Sequence, residues 1–221
     1  MTTHKLIRIF AKAHAHGGKT AERRIDAVVR MLDERGVKGA AEKLPVNVFK
    51  LFKIDQKFSI SESRLRVEML QLQRLLHPDR FFDQDQDSRA KSEYLSALVN
   101  ESYETLRQPY KRAKYLLSLA TGQSAEQIER RLDGLKMDAS FLARMMDTRE
   151  RIDSPRPLER AEAARLATVL QAEIEQLNSQ LDADFARAAP DLDSVLSKLG
   201  KLKFLANCLA SLEAKWGDIL D

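Results

Sequence analysis

One stretch of this 221-residue chain stands out for chemistry: residues 72–82, Leu-Gln-Arg-Leu-Leu-His-Pro-Asp-Arg-Phe-Phe. His77 and Asp79 flank Pro78, and Arg80 follows. An imidazole and a carboxylate two residues apart could form an acid–base pair, but that chemistry needs a nucleophile or a substrate pocket, and neither accompanies them. The same residues suit recognition better. A tip of this kind works only on a rigid support.

The support is legible on both sides. Ser59-x-x-Glu62 matches a capping box. Leu65, Met69, Leu72 and Leu76 then recur at spacings of four, three and four, which predicts an amphipathic helix stopped by Pro78. Arg64, Arg66 and Arg74 fall off that stripe and give the helix a partly basic face, although solvated surface is the plain reading of any one of them. A second helix from about Asp87 or Ser88 turns Leu95, Leu98, Val99, Tyr103 and Leu106 inward. Two antiparallel helices joined this way hold the corner at one end of a hairpin. Ahead of them, Val48, Phe49, Leu51, Phe52 and Ile54 make a short apolar segment of one or two helical turns. After them, Pro109–Leu119 places Ala113, Leu116 and Leu117 on one side, with Tyr110 and Tyr115 as anchors, and predicts a bridging helix.

Residues 121–137 read as a polar connection with room for a helical turn. Three helical patterns follow, separated by Pro155/Pro157 and by Pro190. The first, about 138–152, carries Phe141, Leu142, Met145, Met146 and Ile152. The second, from Leu158 to about Ala188, carries Leu166, Leu170, Ile174, Leu177, Leu181 and Phe185. The third, Leu192 to Trp216, carries Val195, Leu199, Leu202, Leu205, Leu209 and Leu212. Three helices with short turns make an antiparallel bundle over 138–221. The expected organisation is an extension over 1–46, a helical domain over 47–120, a linker and that bundle. A bridging helix packed on both domains would make an L-shaped or elongated rigid body.

Composition agrees with an all-α chain. Hydrophobic residues are 43% and charged residues 32%, with only eight glycines and six prolines. A net charge of +4 is a mild excess. Without aromatic–basic interleaving or a recognisable motif it argues against a basic nucleic-acid binder. Cys208 is the single cysteine, so no internal disulfide and no multi-cysteine zinc or cluster site is expected, and no cofactor is assigned to the chain. No apolar run approaches the roughly 20 residues that span a bilayer. Residues 1–21 hold no acid while Lys5, Arg8, Lys12 and Lys19 are basic, which resembles a transit peptide. The expected compartment is therefore the mitochondrial matrix, though the same body would serve in a bacterial cytoplasm. Residues 21–35 read as a short helix with Ile25, Val28, Val29 and Leu32 on one stripe and Gly36 as its cap.

A short aromatic helix, a basic-faced helix, His-Pro-Asp and a second long helix together resemble a J-domain. The chain resembles the HscB (Jac-type) family of iron–sulfur co-chaperones in particular, on Val48-Phe49-Lys50-Leu51-Phe52, Leu72-Gln73-Arg74-x-x-His77-Pro78-Asp79-Arg80-Phe81 and Val99 to Leu106. Pro109 and Arg112-Ala113-x-Tyr115-Leu116-Leu117 complete the match. That last block separates this family from generic J-domains, and the likeness runs from about residue 48 to the C-terminus. The resemblance implies a non-enzymatic adaptor. Its first domain would dock His77, Pro78, Asp79 and Arg80, with Arg64, Arg66 and Arg74, on the nucleotide-binding domain of a DnaK-class ATPase chaperone and stimulate hydrolysis. Its second would bind an IscU-type cluster scaffold through Leu142, Met146, Asp147, Glu150 and Phe204, and deliver it to the chaperone. Any cluster belongs to the scaffold. Ala143 and Ser154 depart from the family pattern, which has a larger Met and a further acid there, and Arg144 and Arg151 make the face less acidic. A co-chaperone for another client is the nearest rival.

Overall fold

The computed structural model describes residues 47–76, 86–154, 156 and 158–217, with the side chains of 87–92 excepted. The corner His77-Pro78-Asp79-Arg80, the extension over 1–46 with its short helix, and Pro155 and Pro157 lie outside the described residues. Among the described residues all regular structure is helical, in the order α1 (Val48–Leu51), α2 (Glu62–Leu76), α3 (Gln86–Arg107), α4 (Pro109–Thr121), α5 (Ala125–Asp133), α6 (Ala139–Asp153), α7 (Arg160–Phe185) and α8 (Leu192–Trp216). None of these helices is long and apolar enough to cross a membrane. The chain divides into two compact units, Met1–Arg112 and Ala113–Asp221. The division thus falls inside α4, several residues before the boundary expected near 120.

In the first unit, Asn47 starts α1 by accepting hydrogen bonds from the Phe49 and Lys50 amides at 3.1 and 3.4 Å. Val48, Phe49, Leu51 and Phe52 are buried with Phe58, Leu65, Met69, Leu72 and Leu76 from α2 and its approach, and with Leu95, Leu98, Val99 and Leu106 from α3. The α2 stripe is the one its spacing predicts. Its start differs: Ser61, not Ser59, lies one residue before Glu62, and its hydroxyl accepts from the Arg64 amide at 3.3 Å. A serine hydroxyl reaches the amide three residues on, so Ser61 is the better-placed cap for a helix opening at Glu62.

Gln73 Nε2 donates to Asn100 Oδ1 at 3.3 Å, and Ser96 Oγ donates to the Leu76 carbonyl at 2.9 Å. Rising numbers on α2 meet falling numbers on α3, so the two helices are antiparallel, as expected. The Ser96 bond satisfies one of the carbonyls that the last turn of α2 leaves open. It ties down the backbone immediately before His77.

The second unit is a hairpin of α7 and α8 with α6 laid along it. Arg144–Glu173 and Arg151–Glu162 join α6 to α7 in antiparallel sense. Phe141–Phe204 and Arg149–Ser211 join α6 to α8 in parallel sense. Phe141, Met145, Ile152, Ala163, Ala167, Leu170, Leu205, Cys208 and Leu212 form the core between them. Burial pushes the Cys208 thiol up from its ordinary value, so it acts here as a small core side chain.

Residues 121–137, read as a linker, carry a helix. The composition is polar, but Ser124 and Gln127 form a reciprocal capping box, and Ile128 and Leu132, four residues apart, are buried. Beyond it, Leu135 and Met137 pack on α8 at Gly200, where an added Cβ would come within 3.0 Å of Met137 Sδ and 3.2 Å of Leu135 Cδ2. The third helix therefore has α5, α6 and α7 as neighbours, and its buried face is wide: Leu196, Gly200 and Cys208 join the expected leucines.

Glu129 fixes α5 in place, pairing with Lys114 of α4 and with Lys203 of α8 at 2.8 Å. Burial raises the pKa of this carboxylate, but the two lysine hydrogen bonds outweigh it and hold it below the ordinary value. A carboxylate with a depressed folded-state pKa stabilises the fold fully above its unfolded pKa, and that contribution is lost as pH falls through the folded one. Glu129→Gln is expected to cost about 1 kcal/mol at neutral pH, allowing for partial solvent screening. Melts of the two proteins should converge as the pH enters the acid range. A deficit unchanged by acid would rule out this account.

Candidate partner-docking sites

On α2 the core takes one side, and the outward side holds Arg66, Leu70 and Arg74 at successive four-residue steps with Val67 beside them. Val67 is 52% and Leu70 47% exposed. The three arginines expected to act together do not share this face. At about 100° per residue, Arg64 sits about 160° round the helix from Arg66. Its guanidinium donates to the Lys53 carbonyl at 2.9 Å. Lys53 has φ 51°, a left-handed conformation that costs a non-glycine residue about 1 kcal/mol. Arg64 thus helps hold the turn that ends α1.

Apolar residues were absent from the sequence-based site on this helix. Val67 and Leu70 carried the signal all the same, since both fall outside the 65, 69, 72, 76 stripe. Val67 and Leu70 thus form a small exposed aliphatic pair flanked by Arg66 and Arg74.

On α6, Phe141, Met145, Thr148 and Ile152 face the core. Leu142 is half-buried, and Met146, Asp147 and Glu150 are exposed, Met146 at 72%. Phe204 of α8 is 41% exposed, and its ring meets the buried Phe141 ring edge-on, centroids 6.1 Å apart at 79°. Leu142 and Met146 lie on the α8 flank of α6, the flank from which Arg149 reaches Ser211. Leu142, Met146 and Phe204 therefore share one side of the unit, and Glu150, one turn beyond Met146, continues it. Asp147 is set apart, about 100° round from Met146 toward the α7 flank.

The arginines that make this helix less acidic are spent on α7. Arg144 grips the Glu173 carboxylate with both Nη atoms, one bond at 2.8 Å, and Arg151 meets Glu162 at 2.8 Å. Glu173 also raises the Arg144 pKa through that hydrogen bond. Ala143 is exposed and adds little apolar area, and Ser154 is the C-cap of α6. This side of the unit therefore carries an apolar trio with an acid at one end.

Among the described residues the chain is all-helical, a helical hairpin with exposed basic and aliphatic side chains followed by a bundle with exposed apolar ones, and this is the architecture of a helical co-chaperone. Residues 137–213 match the family described as the HSCB C-terminal oligomerisation domain. The co-chaperone HscB homolog of Vibrio cholerae is 32% identical over 182 residues, covering 76% of this chain and 95% of that one. The solved structure of chaperone HscB from Vibrio cholerae superposes with a TM-score of 0.62 at 27% identity, covering 79% of this chain and all of the other. The crystal structure of human co-chaperone HscB gives 0.61 at 25% identity, over 77% and 84%. The chain belongs to the HscB family, co-chaperones of iron–sulfur cluster assembly.

Proposed function

We propose that the first unit docks through His77, Pro78, Asp79 and Arg80, with Arg66 and Arg74, on a DnaK-class ATPase chaperone and stimulates its hydrolysis of ATP. The second unit binds an IscU-type scaffold through Leu142, Met146, Glu150 and Phe204 and delivers it to that chaperone. ATP hydrolysis then fastens the chaperone onto the scaffold and favours release of the assembled cluster. Asp147 belongs to the rim of the scaffold site. The observation that carries the adaptor reading is Met146 and Phe204, large apolar side chains exposed on the same flank of the bundle. On the chaperone side, Ser96 bonded to the Leu76 carbonyl supports a tip held by an anchored helix end.

Single-turnover ATP hydrolysis by a DnaK-class chaperone, with this protein and apo scaffold added singly and together, tests it. Each should stimulate, and the two together more than either alone; an intact protein that leaves the rate unchanged would sink the reading. Within the same assay Leu70→Ala is expected to reduce stimulation about two- to fivefold, the effect of a mid-range contact residue. Its melting temperature should be unchanged, because Leu70 supports no core. Full stimulation by Leu70→Ala would remove the aliphatic residues from the docking face.

A further inference from the structure

Two cations lie over the buried Phe141 ring: the Arg144 guanidinium at 5.5 Å and the Lys201 ammonium at 5.7 Å from its centroid. They differ in one respect. Arg144 is neutralised by Glu173. Lys201 makes no ion pair with any described carboxylate. The acid nearest in influence is Asp138, whose carboxylate is already committed to capping α6, accepting from the Ser140 hydroxyl and from the Phe141 amide at 2.9 Å. The ring contact does not discharge Lys201, since an exposed cation–π pair is worth only about 0.5–1 kcal/mol and leaves the charge in place.

Position gives this charge a use. Lys201 precedes Phe204 by three residues on α8 and touches the same Phe141 ring that Phe204 packs against, so it borders the apolar trio at the N-terminal end of α6. Glu150 borders the trio at the other end, two turns beyond Leu142. The charges on this face without an ion pair among the described residues are therefore Lys201 at one end of the apolar centre and Glu150 at the other, while Arg149 and Lys215 near Glu150 share the Asp153 carboxylate. A partner that buries the centre gains from both ends in only one orientation, and reversing it sets like charges together.

We propose that Lys201 is a scaffold-contacting, orientation-setting residue, pairing with an acidic side chain on the IscU-type protein while Glu150 meets a basic one. This rests on the scaffold reading above and adds to it a polarity that fixes which way round the scaffold sits. Phe141 is the positioning residue that holds both Lys201 and Phe204 at the edge of the patch.

The test is calorimetric titration of apo IscU-type scaffold into the full chain at low and high salt, with Lys201→Gln, Lys201→Arg and Phe204→Ala. Lys201→Gln should weaken binding about two- to fivefold at low salt, the range of a solvent-accessible ion pair, and the deficit should shrink at high salt. Lys201→Arg keeps the charge and the stacking on Phe141 and should bind like the parent. Phe204→Ala should lose affinity at both salts. Lys201→Gln binding like the parent while Phe204→Ala fails would overturn the proposal and leave the scaffold site standing. A Lys201→Gln deficit equal at both salts would overturn it as well, by showing a packing effect. Phe204→Ala binding like the parent would remove the scaffold site itself.

Discussion

Asp79→Ala is expected to lower stimulation of a DnaK-class ATPase by at least roughly thirtyfold while leaving scaffold affinity within about twofold of the parent. The magnitude follows from the kind of bond at stake. A carboxylate that meets a partner cation in a desolvated contact is worth about 2 kcal/mol or more when truncated, because the partner's charge is then left buried without its counterpart. The selectivity follows from the division of the chain: Asp79 belongs to the unit Met1–Arg112, and the residues proposed to face a scaffold to Ala113–Asp221. The variant should also melt with the parent, as Asp79 lies outside both leucine stripes of the hairpin. Stimulation that survives the substitution would remove the corner from the mechanism. An equal loss of scaffold binding would show that the substitution damages the whole chain.

The hairpin and bundle were legible in the sequence because their information is periodic. Leu65, Met69, Leu72 and Leu76 line one face at helical spacing, and nothing else explains them; all four are buried. The last helix was read at its full extent, Leu192 to Trp216, since Pro190 precedes it and its apolar stripe runs unbroken from Val195 to Leu212. What escaped was information that is not apolar. Ala163 and Ala167 are fully buried on α7, while the more hydrophobic Leu166 is only partly so. Small side chains let α8 approach α7 closely, and a hydrophobicity pattern underweights them.

The helix over 125–133 escaped for a related reason: a nine-residue, highly charged segment shows only Ile128 and Leu132 to the core. Its capping box was the available signal. In the candidate sites, family resemblance nominated residues position by position. Arg64 lies off the basic face by its helical position, and only its bond to the Lys53 carbonyl is a three-dimensional fact. Lys201 carried no motif at all. It becomes visible only when α8 is laid beside α6 and its ammonium is found over Phe141.

Asp184 shows how far a buried polar residue can be argued from the same stripe. It continues the α7 core series Ala163, Ala167, Leu170, Ile174, Leu177, Leu181 by three more residues, and it is 3% exposed. Its carboxylate meets Lys198 Nζ at 2.5 Å, Ser194 Oγ at 3.5 Å and Arg187 Nη1 at 3.5 Å. The Lys198 side chain is itself 19% exposed. Asp184→Ala would leave that ammonium largely buried without its counter-charge, and breaking such a pair costs about 3 kcal/mol, toward the lower end for buried pairs because Lys198 retains some water. For a unit of this size that is a drop of several degrees or more in Tm. The paired substitution Asp184→Leu with Lys198→Met should restore most of the loss, since two apolar side chains avoid the cost of burying two charges. Their coupling would appear in a double-mutant cycle as a term of about 2 kcal/mol. The pair also fixes the register of α8 against α7, and α8 carries Phe204 and Lys201. The stable double variant should therefore bind scaffold like the parent only if leucine packing alone keeps that register. If the single substitution melts with the parent, Asp184 is not the clamp of this hairpin.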